Sequence, residues 1–344
     1  MINVGIIGCG KIAQTRHLPE YAANPNVNIA GLYDMNFARA QELADTYLCH
    51  VYQSVEEILS DPSIDAVSIC AINNAHAELS IKALESGKHV LCEKPMATTL
   101  QDCENMVKAA EKAGKFLMIG QNQRLAPAHM KAKELISQGV IGKIVAFRTT
   151  FGHGGPETWS VDGGKGTWFF DKKKASMGAM ADLGIHKIDL IRYLCGTDVS
   201  AVTARLFTVD KRYEDGSLIS VDDNALCIME LINGAVGTLS VSWTYYGKED
   251  NSTILYGTDG IMSIYANPDH SIVINKPDGT KYMYDIDQIQ TNSNQTKSGI
   301  IDAWIDCLLN NREPDISGKS VLGSMKAVFA CVESGKNGKR IEVR

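Results

Sequence analysis

Short apolar runs alternate with amphipathic stretches over the first 123 residues of the chain. The apolar runs predict strands at Val4–Ile7, Ile29–Tyr33, Ala66–Ala71, His89–Cys92 and Phe116–Ile119, with helices between them at Ala38–Tyr47, Ala77–Glu85 and Leu100–Ala113. Apolar residues fill these strands throughout, which is typical of parallel strands buried on both faces. The pattern therefore predicts an α/β domain with a doubly wound parallel sheet over residues 1–123.

After residue 124 the pattern changes to one of longer strands joined by tight turns. Helices are predicted at Ala128–Gln138, Asp182–Leu194, Ile300–Asn310 and Val321–Glu333, and strands at Ile144–Phe151, Val199–Asp210, Ala225–Ile232, Val236–Tyr245, Ser252–Gly257, Ile261–Tyr265, Ser271–Asn275 and Lys281–Asp285. Asn233-Gly234 and Asp259-Gly260 are typical two-residue hairpin turns. The polar stretch Gln288–Gly299 has neither periodicity and predicts a loop. Residues 124–344 are thus predicted to form an α+β domain on an open, mainly antiparallel sheet.

The composition is that of an ordinary globular protein, with 22% charged and 44% hydrophobic residues. A net charge of -6 gives no basic surface for nucleic acid or an anionic membrane. No apolar run is long enough to span a bilayer, and no signal peptide precedes the first strand. The nine cysteines are scattered, without metal-ligand spacing. We therefore expect a cytoplasmic protein with no metal, nucleic-acid or membrane partner.

A glycine-rich turn follows the first predicted strand and reads Gly8-Cys9-Gly10-Lys11-Ile12-Ala13. In a dinucleotide-binding turn, Gly8 would permit the tight bend, Gly10 would let the backbone approach the pyrophosphate, and Ala13 would allow close helix packing. Asp34 ends the next strand, where a carboxylate accepts hydrogen bonds from ribose hydroxyls. The next basic residue is Arg39, so nothing nearby is expected to neutralise a 2′-phosphate. The motif predicts a Rossmann domain that prefers NAD to NADP, although a structural turn without a cofactor fits the same residues.

Lys94 follows the fourth predicted strand, in the run Cys92-Glu93-Lys94-Pro95. Ligands of open α/β sheets bind beyond the carboxyl ends of the strands, so this ammonium is expected near the nicotinamide. There it could hydrogen-bond the oxygen that loses or gains a proton during hydride transfer. The alternative is an exposed lysine in a strand-end turn.

Asp182 and His186 are four residues apart in a predicted helix and should share one face. A carboxylate beside an imidazole orients the ring and raises its basicity, as general base catalysis requires. Asp189 could orient the ring as well. The alternative is an N-terminal Asp cap and a histidine packed against the neighbouring domain.

Together these motifs resemble the Gfo/Idh/MocA family of NAD(P)-dependent oxidoreductases over nearly the whole chain. The resemblance implies Lys94, Asp182 and His186 as the catalytic residues. The implied cofactor-binding residues are Gly8, Gly10, Lys11, Ile12, Ala13, Asp34, Ala71, Asn73, His76, Glu93, Lys94 and Asn122. The implied substrate-binding residues are Lys94, Arg124, His153, Trp168, Asp182 and His186.

Three stretches depart from the family pattern. Ala71-Ile72-Asn73 stands where the family usually has Thr-Pro-Asn, so the loop beside the nicotinamide could be set differently. Ser176-Met177-Gly178 replaces a glycine-rich triplet before the catalytic helix and makes that loop bulkier. His153 and Trp168 lie in stretches that only a subset of the family shares, so they are expected to determine specificity. Trp168 could equally be a core aromatic residue.

The predicted function is reversible oxidation of a secondary alcohol on a sugar, sugar derivative or cyclitol, with Trp159, Trp168 and Trp243 as candidate aromatic platforms. A glycosidase, lyase or epimerase-like enzyme that keeps NAD bound remains an alternative. A non-catalytic cofactor-binding regulator is a further one. The resemblance also implies a homodimer or homotetramer that associates through the C-terminal sheet. Several apolar residues would make a free face of that sheet unstable in water: Leu226, Ile228, Leu239, Val241 and Trp243.

Overall fold

The apolar runs of the first 123 residues form a six-stranded parallel sheet in the computed structural model, which describes residues 1–289 and 297–344. The strands are β1 (Ile2–Ile7), β2 (Val27–Tyr33), β3 (His50–Val51), β4 (Ala66–Ile69), β5 (His89–Cys92) and β6 (Leu117–Ile119). Their order is β3-β2-β1-β4-β5-β6. The sheet order reverses at β1 and β4, and in such sheets ligands bind beyond the carboxyl ends at this point. The predicted fold class is confirmed, although the short edge strand β3 was not predicted.

Helices cover both faces of this sheet. They are α1 (Leu18–Ala23), α2 (Phe37–Tyr47), α3 (Val55–Ser60), α4 (His76–Glu85) and α5 (Leu100–Ala113). Thr99 caps α5 by accepting the N–H of Asp102, and Gly114 ends the helix in a left-handed conformation with φ of 62°. These are the local signals that make helix ends readable in a sequence.

The second sheet has nine strands in the order β14-β13-β12-β11-β7-β10-β9-β8-β15. The strands are β7 (Ile144–Gly152), β8 (Val199–Phe207), β9 (Asn224–Leu231), β10 (Val236–Ser242), β11 (Thr253–Gly257), β12 (Gly260–Ile264), β13 (Ile272–Asn275), β14 (Lys281–Tyr284) and β15 (Ile341–Glu342). All its pairs are antiparallel except β7 with β10, which run parallel. The carboxyl ends of β7 and β10 therefore lie at one edge of the sheet.

The remaining helices are α6 (Pro127–Ser137), α7 (Lys172–Ala175), α8 (Ile185–Cys195), α9 (Ile300–Leu309) and α10 (Gly318–Asn337). Helix α9 contacts α1 and β1, and α10 contacts both α5 and β8. The end of the chain thus packs against the first sheet as well as the second. The domain division at residue 123 stays a prediction.

One face of the second sheet packs on the helices, and the other, called the free face below, exposes apolar side chains among the described residues. Leu226 and Ile228 lie on the free face, where their side chains are 53% and 50% exposed. Leu239, Val241 and Trp243, which we also expected there, are buried on the opposite face. The error arises because alternate residues of a strand point to opposite faces, and Leu226 pairs with Ser240 rather than with Leu239.

Most of the polar stretch predicted as a loop, residues 290–296, lies outside the described residues. In the part of the chain that is described, no helix is both long and apolar enough to cross a membrane.

Candidate active site

A cavity of about 910 Å³ lies between the two sheets, at the carboxyl edge of the parallel strands. Its wall combines residues from both domains, including Gly8, Asp34 and Lys94 from the first and Asp182 and His186 from the second. A cleft of this size at the reversal point of the strand order is the usual position of a dinucleotide and its substrate.

The glycine-rich turn has the geometry that a pyrophosphate site requires. Gly8 has φ of +98°, and a Cβ at this position would lie 2.6 Å from the carbonyl carbon of Cys70. A Cβ at Gly10 would lie 4.0 Å from its nearest neighbour, the carbonyl oxygen of Cys70, so the backbone faces open space. Lys11 and Ile12 line the cavity, and Ala13 is fully buried. The first glycine is needed for the fold, and the second leaves the room that a dinucleotide needs.

Asp34 lies at the end of β2 and is fixed by two backbone contacts. Its carboxylate accepts hydrogen bonds from the N–H of Cys9 at 2.6 Å and of Asn36 at 2.7 Å. Arg39, which was not predicted as part of the site, also lines the cavity, and its Nη2 lies 2.6 Å from Asp162 Oδ1. The first turn of α2 thus brings Arg39 back to the cleft, where it pairs with Asp162, and the expectation that nothing nearby neutralises a 2′-phosphate stays a prediction.

The loops after β4 and β5, together with Asn122 after β6, hold the residues expected near the nicotinamide. Ala71, Asn73, His76 and Asn122 all line the cavity. The His76 ring lies between the carbonyl oxygens of Pro95, at 2.8 Å, and Ala71, at 3.0 Å, and so ties the two loops together. Burial lowers the pKa of His76 despite these acceptors. The Asn73 amide donates to a carbonyl of the second domain at 3.1 Å, so the unusual Ala71-Ile72-Asn73 sequence still joins the domains.

Glu93 anchors the floor of the cavity. Its carboxylate lies 2.9 Å from His17 Nε2 and 3.6 Å from Arg16 Nη1. Burial alone would raise the pKa of Glu93, but the His17 hydrogen bond and the Arg16 charge lower it to about 2. Glu93 therefore stays ionised and holds the start of the Lys94 loop in place.

Lys94 and Asp182 form a buried ion pair across the domain boundary. The Lys94 Nζ donates to Asp182 Oδ1 at 2.8 Å and to the Asp182 carbonyl oxygen at 3.0 Å. The Trp243 Nε1 donates to Asp182 Oδ2 at 3.0 Å. Burial disfavours the ionised carboxylate, but the Lys94 charge outweighs it and lowers the pKa of Asp182. The alternative of an exposed Lys94 is excluded by this contact.

Asp182 lies in a π-helical turn, Met180–Gly184, which leads directly into α8. The start of this turn is held by Asp222, whose carboxylate accepts the N–H groups of Gly178 and Met180, each at 2.8 Å. A Cβ at Gly178 would lie 1.9 Å from the Asp222 carbonyl oxygen. The bulkier loop before α8 thus keeps its glycine where the two backbones meet. Turns of this kind are frequent at functional sites.

His186 is buried in the cavity wall, and its Nδ1 has no hydrogen-bond partner among the described residues. Burial and the Lys94 charge lower the pKa of His186 well below its ordinary value, while the Asp182 charge acts in the opposite direction. The expected hydrogen bond between Asp182 and His186 is absent from the described contacts. Lys94 and Trp243 take up the Asp182 oxygens instead.

Asp189 and Arg124 form a buried structural pair away from the cavity. The guanidinium of Arg124 donates to both Asp189 oxygens, at 2.6 and 2.5 Å, and Ser324 donates to Asp189 at 2.7 Å. Asp189 therefore does not orient His186. Arg124 is not among the residues that line the cavity, because its bidentate ion pair turns it into the core of the second domain, so this geometry does not support its expected role in substrate binding.

His153 lies in the cavity wall beside Asp182. The N–H of Gly155 donates to His153 Nδ1 at 3.0 Å, so the proton of the neutral ring is on Nε2, which lies 3.8 Å from Asp182 Oδ2. Burial lowers the pKa of His153, and this favours the neutral ring. His153 thus presents an N–H donor at the same position as the ion pair.

Aromatic side chains form one wall of the cavity. Trp159, Trp168 and Phe169 line it, and Trp168 stacks on Phe169 with ring centroids 3.9 Å apart. Trp168 is half-buried, which excludes the alternative of a core residue. Trp243 is fully buried behind Asp182, so it is no platform for a substrate, and its N–H is used to hold the carboxylate.

Sequence reasoning missed Glu249, which lines the cavity and has a buried Oε1 with no partner among the described residues. Burial, supported by the Asp182 charge and opposed by Lys187, raises the pKa of Glu249 to about 7. Glu249 follows β10, whose carboxyl end lies beside that of β7 because the two strands are parallel. Only the strand pairing gives this signal, since the local sequence is that of an ordinary polar loop.

Two family models match the chain. One, described as an oxidoreductase family with an NAD-binding Rossmann fold, matches residues 2–121, and the GFO/IDH/MocA C-terminal domain matches residues 129–263. Levoglucosan dehydrogenase of Pseudarthrobacter phenanthrenivorans is 32% identical over 287 residues, covering 75% of this chain and 72% of the relative. The chain belongs to the Gfo/Idh/MocA oxidoreductase family.

Two further comparisons support this membership. D-glucoside 3-dehydrogenase of Escherichia coli is 29% identical over 261 residues, covering 73% of this chain and 72% of the relative. A structure of levoglucosan dehydrogenase in complex with NADH and levoglucosan is similar with a TM-score of 0.86 and 26% identity, covering 99% of both chains. The predicted family, the Rossmann domain, NAD as the cofactor and the oxidoreductase class are all confirmed.

Proposed function

We propose that this Gfo/Idh/MocA oxidoreductase is an NAD-dependent dehydrogenase that oxidises a secondary alcohol of a sugar or sugar derivative. The observation that supports it best is the convergence of three groups on one cavity: the fixed ammonium of Lys94, the carboxylate of Asp182 and the imidazole of His186, whose Nδ1 has no partner among the described residues. These groups can bind a hydroxyl and accept its proton.

NAD, when bound, supplies the acceptor for the hydride. His186 accepts the hydroxyl proton, and its lowered pKa keeps the imidazole neutral at physiological pH. Lys94 donates a hydrogen bond to the substrate oxygen and favours its negative charge, and Asp182 holds this ammonium in place. Oxidation should therefore be retained as the pH falls to 6.5, because protonation of His186 occurs only well below that value.

Recognition of a polyol requires several hydroxyl partners and an apolar surface. His153 offers a buried N–H donor, and Glu249 offers an oxygen without a partner among the described residues. The faces of Trp159 and Trp168 provide the apolar wall against which the carbon–hydrogen face of a sugar ring packs. We assign substrate specificity to these four residues.

To test the proposed dehydrogenase activity, NADH formation from a panel of aldoses, uronates, inositols and glycosides is measured by absorbance. We expect turnover with at least one sugar or glycoside, and a rate lowered by roughly 10²–10⁴ in His186→Asn. If no compound in the panel reduces NAD with the wild-type protein, the proposed dehydrogenase activity is wrong.

A second candidate is an enzyme that oxidises a sugar transiently and returns the hydride, as a glycosidase, lyase or epimerase would. The contact between Arg39 and Asp162 supports it, because this ion pair joins the two domains at the cavity wall and would slow the release of NAD, although only a few-fold. Reduced cofactor that stays bound through gel filtration, without net NAD reduction, would support this candidate instead.

We further propose that two or four copies associate through the free face of the second sheet. Leu226 and Ile228 are about half exposed there, on a β-sheet surface that water solvates poorly. Replacing both with Asp should lower the mass measured by light scattering at micromolar concentration. Leu48→Asp, at an exposed position of the first domain, serves as the control. A monomeric wild-type protein would contradict the proposal.

The cytoplasmic location stays a prediction.

A further inference from the structure

An ion pair crosses the cofactor cleft between its two domains. Arg39 lies in the first turn of α2, and Asp162 lies 123 residues later in the glycine-rich loop after β7. Arg39 Nη2 and Asp162 Oδ1 are 2.6 Å apart, and both residues line the cavity. The contact therefore joins the Rossmann domain to a loop of the other domain directly over the cleft.

The position of this pair relates it to one end of the dinucleotide. Asp34, where ribose hydroxyls of an adenosine bind in this fold, also lines the cavity, and its carboxylate accepts the N–H of Cys9 at 2.6 Å. The Arg39 charge also acts on the Cys9 thiol of the glycine-rich turn, which places the guanidinium near that turn. NADP differs from NAD by a phosphate on the 2′-oxygen, and proteins that bind it use an arginine at this position. Arg39 has a suitable position to bind a 2′-phosphate, yet its guanidinium is paired with Asp162.

We propose that Asp162 determines cofactor specificity, because its ion pair with Arg39 closes the loop over the adenosine end of the cleft and withholds this guanidinium from a 2′-phosphate. The inference rests on the NAD-binding Rossmann domain and does not depend on the proposed sugar substrate.

Two effects follow from one carboxylate. The closed loop slows the release of NAD, and this effect is small because Asp162 is 60% exposed on its side chain. Exposed pairs of this kind change an equilibrium roughly two- to fivefold and weaken with salt. The second effect is larger, because Asp162 both repels a 2′-phosphate and competes for its arginine. Removal of the carboxylate should strengthen NADP binding at least about tenfold, the usual effect of a charge-assisted hydrogen bond.

The test measures the binding of NADH and NADPH by fluorescence, without substrate, in five proteins. These are the wild type, Asp162→Asn, Arg39→Met, the double variant, and Glu85→Gln, which removes one exposed carboxylate outside the cavity wall. We expect Asp162→Asn to bind NADPH about tenfold more tightly and to release NADH a few times faster. The double variant should lose most of the NADPH gain, since removal of Asp162 frees Arg39 for the 2′-phosphate and this arginine is then missing.

The rate of NADH release from the wild type should rise with salt, and that of the double variant should not. An unchanged ratio of NADPH to NADH affinity in Asp162→Asn would overturn the inference. An equal shift in the double variant or in Glu85→Gln would overturn it too, since the effect would then be one of general charge. A wild type that binds NADH but oxidises no sugar refutes only the proposed function.

Discussion

The substitution Asp182→Asn tests how the two domains assemble the groups that we propose to be catalytic. Asp182 is almost completely buried, with one oxygen on the Lys94 ammonium at 2.8 Å and the other on the Trp243 N–H at 3.0 Å. An asparagine has the same shape, but it has one carbonyl oxygen for two donors. Whichever way the amide lies, its NH₂ faces either an ammonium or an indole N–H, and Lys94 loses its counter-charge.

The expected loss of kcat in Asp182→Asn follows from these contacts. Removal of one partner of a buried ion pair costs about 3–5 kcal/mol, and the lower end applies because Lys94 is 18% exposed to the cavity. If this loss falls on the positioning of Lys94, about 3 kcal/mol corresponds to roughly a 100-fold lower kcat. The base weakens in addition, because the Asp182 charge raises the pKa of His186 and the variant removes it. Binding of NAD should change little.

Stopped-flow measurement of hydride transfer, with saturating NAD and substrate, separates this effect from binding. Trp243→Phe is the matched control, since it removes one donor to Asp182 but leaves the charge, and we expect a loss of only about tenfold. In the cycle with Lys94→Met, the two losses should be clearly less than additive, because Asp182 acts through Lys94. Full additivity, or a rate for Asp182→Asn within a few-fold of wild type, would refute the argument that Asp182 acts by holding Lys94.

Four further expectations concern other parts of the molecule. His186→Asn should lower kcat by roughly 10²–10⁴ and leave the NADH affinity measured by fluorescence unchanged, whereas a loss of affinity would point to a structural role. Gly8→Ala should abolish NAD binding or folding, because its Cβ would lie 2.6 Å from a backbone carbonyl, while Gly10→Ala should fold, as melting curves would show, and bind NAD more weakly. Glu93→Gln should lower the free energy of unfolding in urea by about 3 kcal/mol at pH 7, because the pKa of Glu93 is lowered from 4.5 to about 2. This difference between variant and wild type should vanish as the pH falls from 4.5 towards 2. A difference that stays constant with pH would contradict ionisation of Glu93 as its cause. Arg124→Met should lower the melting temperature through the loss of a buried ion pair, yet leave the substrate KM within a few-fold of wild type; a large rise in KM would restore its role in binding.

The order of elements in the first domain could be predicted from the sequence because each depends on neighbouring residues. Uniform apolar runs mark strands buried on both faces, and Gly114 marks the end of α5 by a left-handed conformation that glycine adopts freely. The glycine-rich turn is equally local, since strand, turn and helix are contiguous from Ile2 to Ala23. The same holds for Lys94, which lies beyond the carboxyl end of β5 as predicted.

Which side chains meet at the site was decided only by the tertiary structure. The partners of Asp182 lie 88 residues before it and 61 residues after it, and the helical spacing suggested His186 instead. Arg124 and Asp189 match the family pattern in position, yet they are 65 residues apart, pair with each other and do not line the cavity. Charge-assisted contacts in a buried interface outweigh the weak preference of residues four apart on a helix.

The second sheet shows the same division. The sequence determined its turns and the strands β9 and β10, but not which neighbour β10 would take on its other side. Its parallel pairing with β7 brings His153 and Glu249 to one edge, although they are far apart in the chain. The apolar periodicity of a strand records which faces are buried, whereas the pairing of strands depends on how the whole sheet packs on its helices. For this protein the sequence therefore determined the fold class and the cofactor, and the meeting of the two domains determined the contacts of the proposed catalytic residues.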